Sequence, residues 1–503
     1  MSLIRKAKKL RVLFVAPEAA PFIKVGGLGE VFRALPKSLR ALGCDARVII
    51  PRYAAIPAEK FPMDVLIAGL SVSSGPAGKE IICNIKQHID ADGTPTYFLE
   101  NQEYYEQRGS VYGYDDDAAR WALLARGTLE FVRRNEDWRP DVIVGADWQG
   151  GLLPDLIKTT YKDDPVLSKI ATVFSIHNLY FQGMFNHRFV NDMDFDDGKS
   201  PIPDITDPNL LKKTNFMRRG IRYADAINTV SPTYAKEITT PDYGELMDNI
   251  LSERRSRLFG ILNGIDYNYC NPQTNPNVVH KYSAKDLSNR AKNKAVLQEK
   301  FNLEKDPTMP VIGIVSRLND QKGFDLLVDM LEPLLANCRF QLVVVGTGES
   351  KFLSFFTEID KKYPQVATHL SFDADLPHVV YAGADIILIP SKFEPCGLTQ
   401  MEAMRYGALP LVRKTGGLAD SVENYNPATQ TGTGFVFEKF DKYEFFVAIV
   451  RALENYKYPG AWEKTQKRAM SQNFSWDESA QKYFDLFKKA IGFKQEVKQE
   501  DNQ

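Results

Sequence analysis

Two doubly wound α/β domains, each built on a parallel sheet, are what this sequence predicts, and three observations carry the prediction. Apolar runs of strand length alternate with helical spacing along almost the whole chain, the pattern of parallel sheets with right-handed crossovers. The pattern opens twice in the same way: residues 11–16 precede a glycine loop at Gly26-Gly27, and residues 311–316 precede Arg317 and a loop ending at Gly323. The length of 503 residues also exceeds one ordinary core, so two or three domains are expected. A boundary near residues 259–271 gives Rossmann-like domains over 1–260 and 261–474.

In the first half the strand candidates are residues 11–16, 46–51, 141–145, 170–176 and 224–230. Residues 79–85 and 96–99 alternate more and suit an antiparallel addition to the first sheet. Helical spacing fills 31–42 and 117–134. In the second half the strand candidates are 311–316, 340–346, 384–390 and 408–413. Residues 271–302 are polar and read as linker plus helix. The last helix, 475–492, is assigned to the first domain, to which it would cross back, and residues 493–503 form a polar tail expected to fray. Residues 191–207 are acidic and rich in turn formers. They read as a solvated loop, because the ligand spacing of a calcium loop is missing.

Composition excludes several classes. Apolar content of 44% and charged content of 25% are those of a soluble globular protein. A formal net charge of −1 favours neither nucleic acid nor membrane, so an anionic ligand must be met by a local basic cluster. The five cysteines are scattered without a CxxC, which suits reduced thiols in the cytoplasm. The six histidines show no HExxH pair, and no metal site is expected. The basic N-terminus runs straight into a strand without an apolar signal region, and no apolar run is long enough to span a bilayer.

The residues that suit chemistry lie where strands end. Glu394-Pro395-Cys396-Gly397 follows one strand, and Thr415-Gly416-Gly417 opens the helix after the next. Two such turns face one sheet edge, where open α/β sheets bind ligands. The first offers a carboxylate. The second offers a hydroxyl and backbone N–H groups for an anion at a helix N-terminus. Arg317 and Lys322 flank another such loop, and together they suit a diphosphate, gripped by the planar guanidinium and the point charge. Lys24 with Gly26 and Gly27 allows close backbone approach to a phosphate, although the loop alone reads equally as an ordinary tight turn. Asp147-Trp148-Gln149 offers a carboxylate, an aromatic face and an amide, a set that suits a sugar, while Trp148 alone reads equally as core. His177 ends a strand and by itself reads as structural. Cys396 reads as a packed thiol, since no histidine pairs with it as a nucleophile would require.

Taken in chain order, these segments resemble the bacterial glycogen synthase and plant starch synthase family. The shared runs are Lys24-Val25-Gly26-Gly27-Leu28-Gly29, Asp147-Trp148, the run 177–183 (HNLYFQG), 229–234 (TVSPTY), 261–266 (ILNGID), Ser316-Arg317-Leu318 with Gln321-Lys322-Gly323, Glu394-Pro395-Cys396-Gly397-Leu398 and Lys414-Thr415-Gly416-Gly417-Leu418. The resemblance spans roughly residues 10–490 and its combination of motifs is specific. It implies a GT-B fold with the active site in a deep cleft, and no cofactor or metal. It implies retaining transfer of glucose from a nucleoside-diphosphate glucose to the non-reducing end of an α-1,4-glucan such as glycogen or a starch primer.

Carried over by position, Arg317 and Lys322 would hold the diphosphate, and Lys24, the Gly26-Gly27 backbone and Thr415-Gly416-Gly417 would complete the cradle. Asp147, His177, Asn263 and Glu394 would surround the glucose, with Cys396 beside it, and Phe372 would lie near the nucleobase. Contacts drawn from both halves imply that domain closure assembles the site. Glu30 stands where the family usually has Asp, Gln149 where it often has His, and Phe372 where it often has Tyr, which bears on nucleotide preference and acceptor contacts. ADP-glucose is the favoured donor, with UDP-glucose as the alternative. A phosphorylase-like enzyme would need a lysine-bound pyridoxal phosphate. A non-catalytic glucan-binding relative is disfavoured by the joint presence of Lys24, Arg317, Lys322 and Glu394, and a nicotinamide oxidoreductase by the missing GxGxxG.

Overall fold

The computed structural model describes residues 9–182 and 196–500, with side chains to residue 496. The basic start of the chain, Gly183 of the run 177–183 and the first part of the acidic loop 191–207 lie outside the described residues. The chain divides into two compact units. Unit 1 takes the chain up to Val230, Ala235–Ile261 and the chain from Trp476 on; unit 2 takes Ser231–Tyr234 and Leu262–Ser475.

Unit 1 is built on nine strands: β1 (Arg11–Val15), β2 (Asp45–Pro51), β3 (Asp64–Ser73), β4 (Glu80–Ile89), β5 (Pro95–Glu100), β6 (Val142–Ala146), β7 (Ala171–Ile176), β8 (Ala226–Thr229) and β9 (Leu258–Gly260). They lie in the order β3-β4-β5-β2-β1-β6-β7-β8-β9. The sheet is parallel from β5 to β9, and β4 runs antiparallel to both β5 and β3. Val12, Leu13, Phe14 and Val15 are fully buried, which is why β1 is an unbroken apolar run: helices cover both faces of a parallel sheet. β3 was not foreseen. It is mostly exposed, and irregular pairing with β4 at Val65/Ile67 and Ile67/Leu70 breaks its alternation.

Unit 2 holds β10 (Val311–Val315), β11 (Gln341–Val345), β12 (Val366–His369), β13 (Ile386–Ile389), β14 (Leu409–Arg413) and β15 (Phe435–Phe437), all parallel, in the order β12-β11-β10-β13-β14-β15. β9, β12 and β15, each of three or four residues, carry too little pattern to be found alone. In both units the chain winds outward from the middle and then reverses. The reversal falls between β1 and β6 in unit 1 and between β10 and β13 in unit 2. A crevice opens at such a switch point, beyond the strands' C-terminal ends.

The last helix, Trp476–Glu500, packs on unit 1. Asn228 donates to the Tyr483 hydroxyl at 3.1 Å, and Phe487 meets Phe14 edge-on at 6.1 Å. The expected frayed tail from 493 is corrected here: the helix continues to Glu500. Phe493 explains this, stacked at 6.4 Å on Phe259 with the Arg257 guanidinium 4.6 Å from its ring.

Candidate active site

At the switch point of unit 1 the residues after β1 face those after β6. The loop beyond β1 leads into the helix Gly27–Ala41, which begins earlier than its apolar spacing suggested. Lys24 Nζ lies 2.8 Å from Glu30 Oε1, an exposed pair that leaves the ammonium at the surface. The Gly26 amide donates at 3.2 Å to the buried Glu18 carboxylate, which also accepts from the Val25 amide. The Gly26 N–H foreseen as a phosphate donor is therefore already used. Gly27, the first helical residue, is exposed, and its cap, Gly26, lends no side chain to that end.

Asp147, directly after β6, has φ 46° and ψ −166°, a region costly for a residue with a Cβ. Its carboxylate compensates by accepting from the His177 amide at 2.6 Å and the Asn178 amide at 3.2 Å, joining the ends of β6 and β7. Desolvation raises Asp147 from 3.8 to about 7, and the nearby Glu18 charge adds to the rise against the pull of the two amides. Desolvation lowers the His177 imidazole to about 4, so it is neutral at ordinary pH; its Nε2 lies 3.2 Å from Ser175 Oγ. Trp148 proves to be core, packed at 6.2 Å from Trp121 and 6.0 Å from Phe216. Buried Gln149 keeps an Oε1 without a hydrogen-bond partner.

At the switch point of unit 2, Arg317 follows β10, is exposed and, among the described residues, holds no ion pair. Lys322 comes next, on the single turn Asp320–Lys322. Its ammonium lies 2.6 Å from Glu394 Oε2, which also accepts from Ser391 Oγ at 2.8 Å. Read along the chain, these two residues have separate tasks; the fold joins them across 72 positions. Gln321 ties the same loops together, accepting the Lys392 amide at 2.8 Å and donating to Phe393 O at 3.3 Å.

Gly416 and Gly417 press against the backbone of the Glu394 turn. A Cβ on Gly416 would stand 1.9 Å from Glu394 O, and one on Gly417 1.9 Å from Cys396 O. The Thr415 amide donates to Arg413 O at 3.0 Å, and the Gly417 amide to Glu394 O at 3.0 Å. This corrects the expectation that these N–H groups are open to an anion: here the glycines supply closeness, and the Thr415 and Gly417 amides hold the backbone. Cys396 is a buried thiol, raised to about 12 by desolvation, and its sulfur accepts from the Asn263 amide. Asn263 is buried with an unpartnered Oδ1, a feature that suits a polar ligand. Phe372, on the loop after β12, is 84% exposed, an available stacking face.

Three contributors escaped sequence reasoning. Glu18 and Ser391 each follow a strand end closely, which is the only signal they give. Buried Gln400 donates to Cys396 O at 3.1 Å, Gly397 O at 2.8 Å and Ser421 Oγ at 3.0 Å, holding the Glu394 turn from beneath. Among the described residues no group of three or more His, Cys, Asp or Glu side chains could hold a metal, and no helix is long and apolar enough to cross a membrane.

Residues 11–253 match the family described as the starch synthase catalytic domain, and residues 296–469 match glycosyl transferases group 1. The glycogen synthase of Anoxybacillus flavithermus is 41% identical over 480 residues, covering 95% of this chain and 97% of the relative. That of Thermotoga petrophila is 40% identical over 488 residues, covering 96% and 99%. This chain is a glycosyltransferase of the glycogen and starch synthase family. The catalytic domain of starch synthase IV from Arabidopsis thaliana, solved with ADP and acarbose, superposes on 96% of the chain and all of that domain, with a TM-score of 0.82 at 31% identity. Sucrose-phosphate synthase from Thermosynechococcus elongatus, 16% identical with a TM-score of 0.58, shares the fold.

For this family member the two shifted groups give a testable pH dependence. A carboxyl raised in the folded state binds its proton there first. Asp147 therefore favours folding most below its ordinary value of 3.8, and that contribution is lost as pH rises toward about 7. If the anion is the working form, kcat/KM falls about tenfold per pH unit below about pH 7, and His177 adds no limb above about pH 5. Asp147→Asn is expected to be slow and to lack this limb. A wild-type profile flat from about pH 5 to pH 8 would remove Asp147 as the titrating group.

Proposed function

We propose that the protein transfers glucose from ADP-glucose, in preference to UDP-glucose, to the non-reducing end of an α-1,4-glucan with retention at the anomeric carbon. The observation that carries this reading is the ion pair of Lys322 with buried Glu394 at the β10/β13 switch point, on the same β10 loop that carries exposed Arg317. In this reading Arg317 and Lys322 hold the diphosphate and stabilise it as it leaves. Glu394 and Asn263 Oδ1 accept from glucose hydroxyls, and Phe372 stacks on the base. Asp147 and His177 of unit 1 orient the sugar, and Lys24 adds charge on the phosphate.

The chemistry asks little of a protein base. The departing phosphate oxygen takes the proton of the acceptor hydroxyl on the same face from which it leaves, and orientation with charge stabilisation does the rest. The neutral imidazole of His177 adds no charge to this balance.

The test is to supply a glucan with each sugar nucleotide separately and measure released diphosphate. Glucan-dependent release from ADP-glucose, at least about tenfold faster than from UDP-glucose, is expected. Equal or faster release from UDP-glucose would overturn the donor assignment, and glucan-independent release with both would overturn transfer.

A further inference from the structure

Glu18 has no role in the reading above, yet it is the most enclosed carboxylate at the unit 1 switch point, with 2% of its surface exposed. Three donors meet it: the Val25 amide, the Gly26 amide at 3.2 Å and the Tyr112 hydroxyl at 3.3 Å. The glycines of the loop pass within contact distance of it. A Cβ on Gly26 would stand 3.7 Å from Oε1, and one on Gly29 3.4 Å from Oε2. The loop is tied at both ends as well, by Ile23 N to Ala19 O at 3.1 Å and Ala20 N to Gly29 O at 3.0 Å.

We propose that Glu18 is the positioning residue of the donor-binding loop, acting through the Val25 and Gly26 amides to fix where Lys24 and the first turn of the helix Gly27–Ala41 stand. This rests on the proposed function, in which Lys24 serves the donor phosphates. A buried carboxylate beside an anion site repels the anion, so its presence requires a compensating gain. That gain is a loop formed before the donor arrives, with two amides turned inward onto the protein's own carboxylate. Lys24, whose ion pair among the described residues is with half-buried Glu30, is left to meet the ligand. Removing the carboxylate leaves three donors unmet, and the loop rearranges. Glutamine of the same shape keeps one oxygen for both amides and turns its NH2 toward the Tyr112 oxygen, so it preserves the geometry without the charge.

The test compares the wild type with Glu18→Ala, Glu18→Asp and Glu18→Gln by donor KM, glucan KM, kcat and hydrogen exchange at the Val25 and Gly26 amides. Glu18→Ala should raise donor KM by about tenfold or more, leave glucan KM within about twofold and release both amides to exchange. Glu18→Asp, too short to hold both amides, should lie between, which keeps the test alive if Glu18→Ala does not fold. Glu18→Gln should restore donor KM to within about threefold of the wild type with both amides protected. Donor KM unchanged in Glu18→Asp, a matching rise in glucan KM, or Glu18→Gln as poor as Glu18→Asp would overturn the proposal. So would fast exchange of both amides in the wild type. Absence of transfer by the wild type with either donor would count against the proposed function instead, and the exchange result would stand apart from it.

Discussion

Lys322→Ala is expected to lower kcat with ADP-glucose by about 10²–10³-fold, the usual loss when one preorganised donor to a developing anion is removed. Its side chain is 18% exposed and its ammonium sits 2.6 Å from Glu394 Oε2, so it is already held by a fixed partner before any donor binds. Water supplies no substitute of equal strength, because the charge is placed in advance and needs no reorganisation as the diphosphate leaves. The substitution also strips Glu394 of its cation and leaves that carboxylate with the Ser391 hydroxyl. Glu394 would then turn, and the loss should exceed that of Arg317→Ala, whose side chain is exposed and, among the described residues, holds no ion pair. The melting temperature should move by only a few degrees, since replacing Lys322 opens no core. Single-turnover transfer and a thermal melt on the same preparation check both parts. A kcat within about threefold of the wild type would remove Lys322 from the reaction.

Gly417→Ala is expected to damage both stability and transfer. The added methyl would lie 1.9 Å from Cys396 O, a collision with backbone that no rotamer relieves. The helix Gly416–Ser421 must back away from the Glu394 turn, breaking the bonds from the Gly417 amide to Glu394 O and Pro395 O. Overpacking of this kind costs about 1–3 kcal/mol or more, and each kcal/mol lowers the melting point of a domain this size by roughly 2–4 °C. A fall of about 2–12 °C is expected, with transfer reduced about 10²-fold because Glu394 and its partner Lys322 move with the turn. Gly460→Ala is the control: its methyl meets nothing within 4 Å, and the melting point should hold or rise slightly. Equal behaviour of the two variants would show that the close approach at Gly417 has no consequence.

Most of the candidate site was legible because its residues sit where strands end, and strand ends are visible as the last residues of apolar runs. Asp147 and His177 come directly after such an end, and Arg317, Glu394 and Lys322 lie two, five and seven residues beyond one. What the amides do was not legible. The Val25, Gly26, Thr415 and Gly417 N–H groups all find acceptors within the protein, and those acceptors were not chosen by spacing. Glu18 takes two of them because the loop folds back over it, and a Pro17-Glu18 pair after a strand announces nothing of the kind. The frayed tail failed for a similar reason: Phe493 is one apolar residue in a polar stretch, and only Phe259 across the fold gives it a place.

The sequence alone determined that two α/β units alternate strand and helix, where most strands end, and through the ordered set of short runs which family the chain belongs to. These are local properties, written in apolar period and in glycine-bearing turns. Tertiary structure decided which strand ends become neighbours: β1 beside β6 and β10 beside β13, strands that lie far apart along the chain. Strand order follows from the direction in which each crossover helix packs back onto the sheet, a choice made by burial over the whole unit. No local pattern records it, and the 2.6 Å meeting of Lys322 with Glu394 exists only because of it.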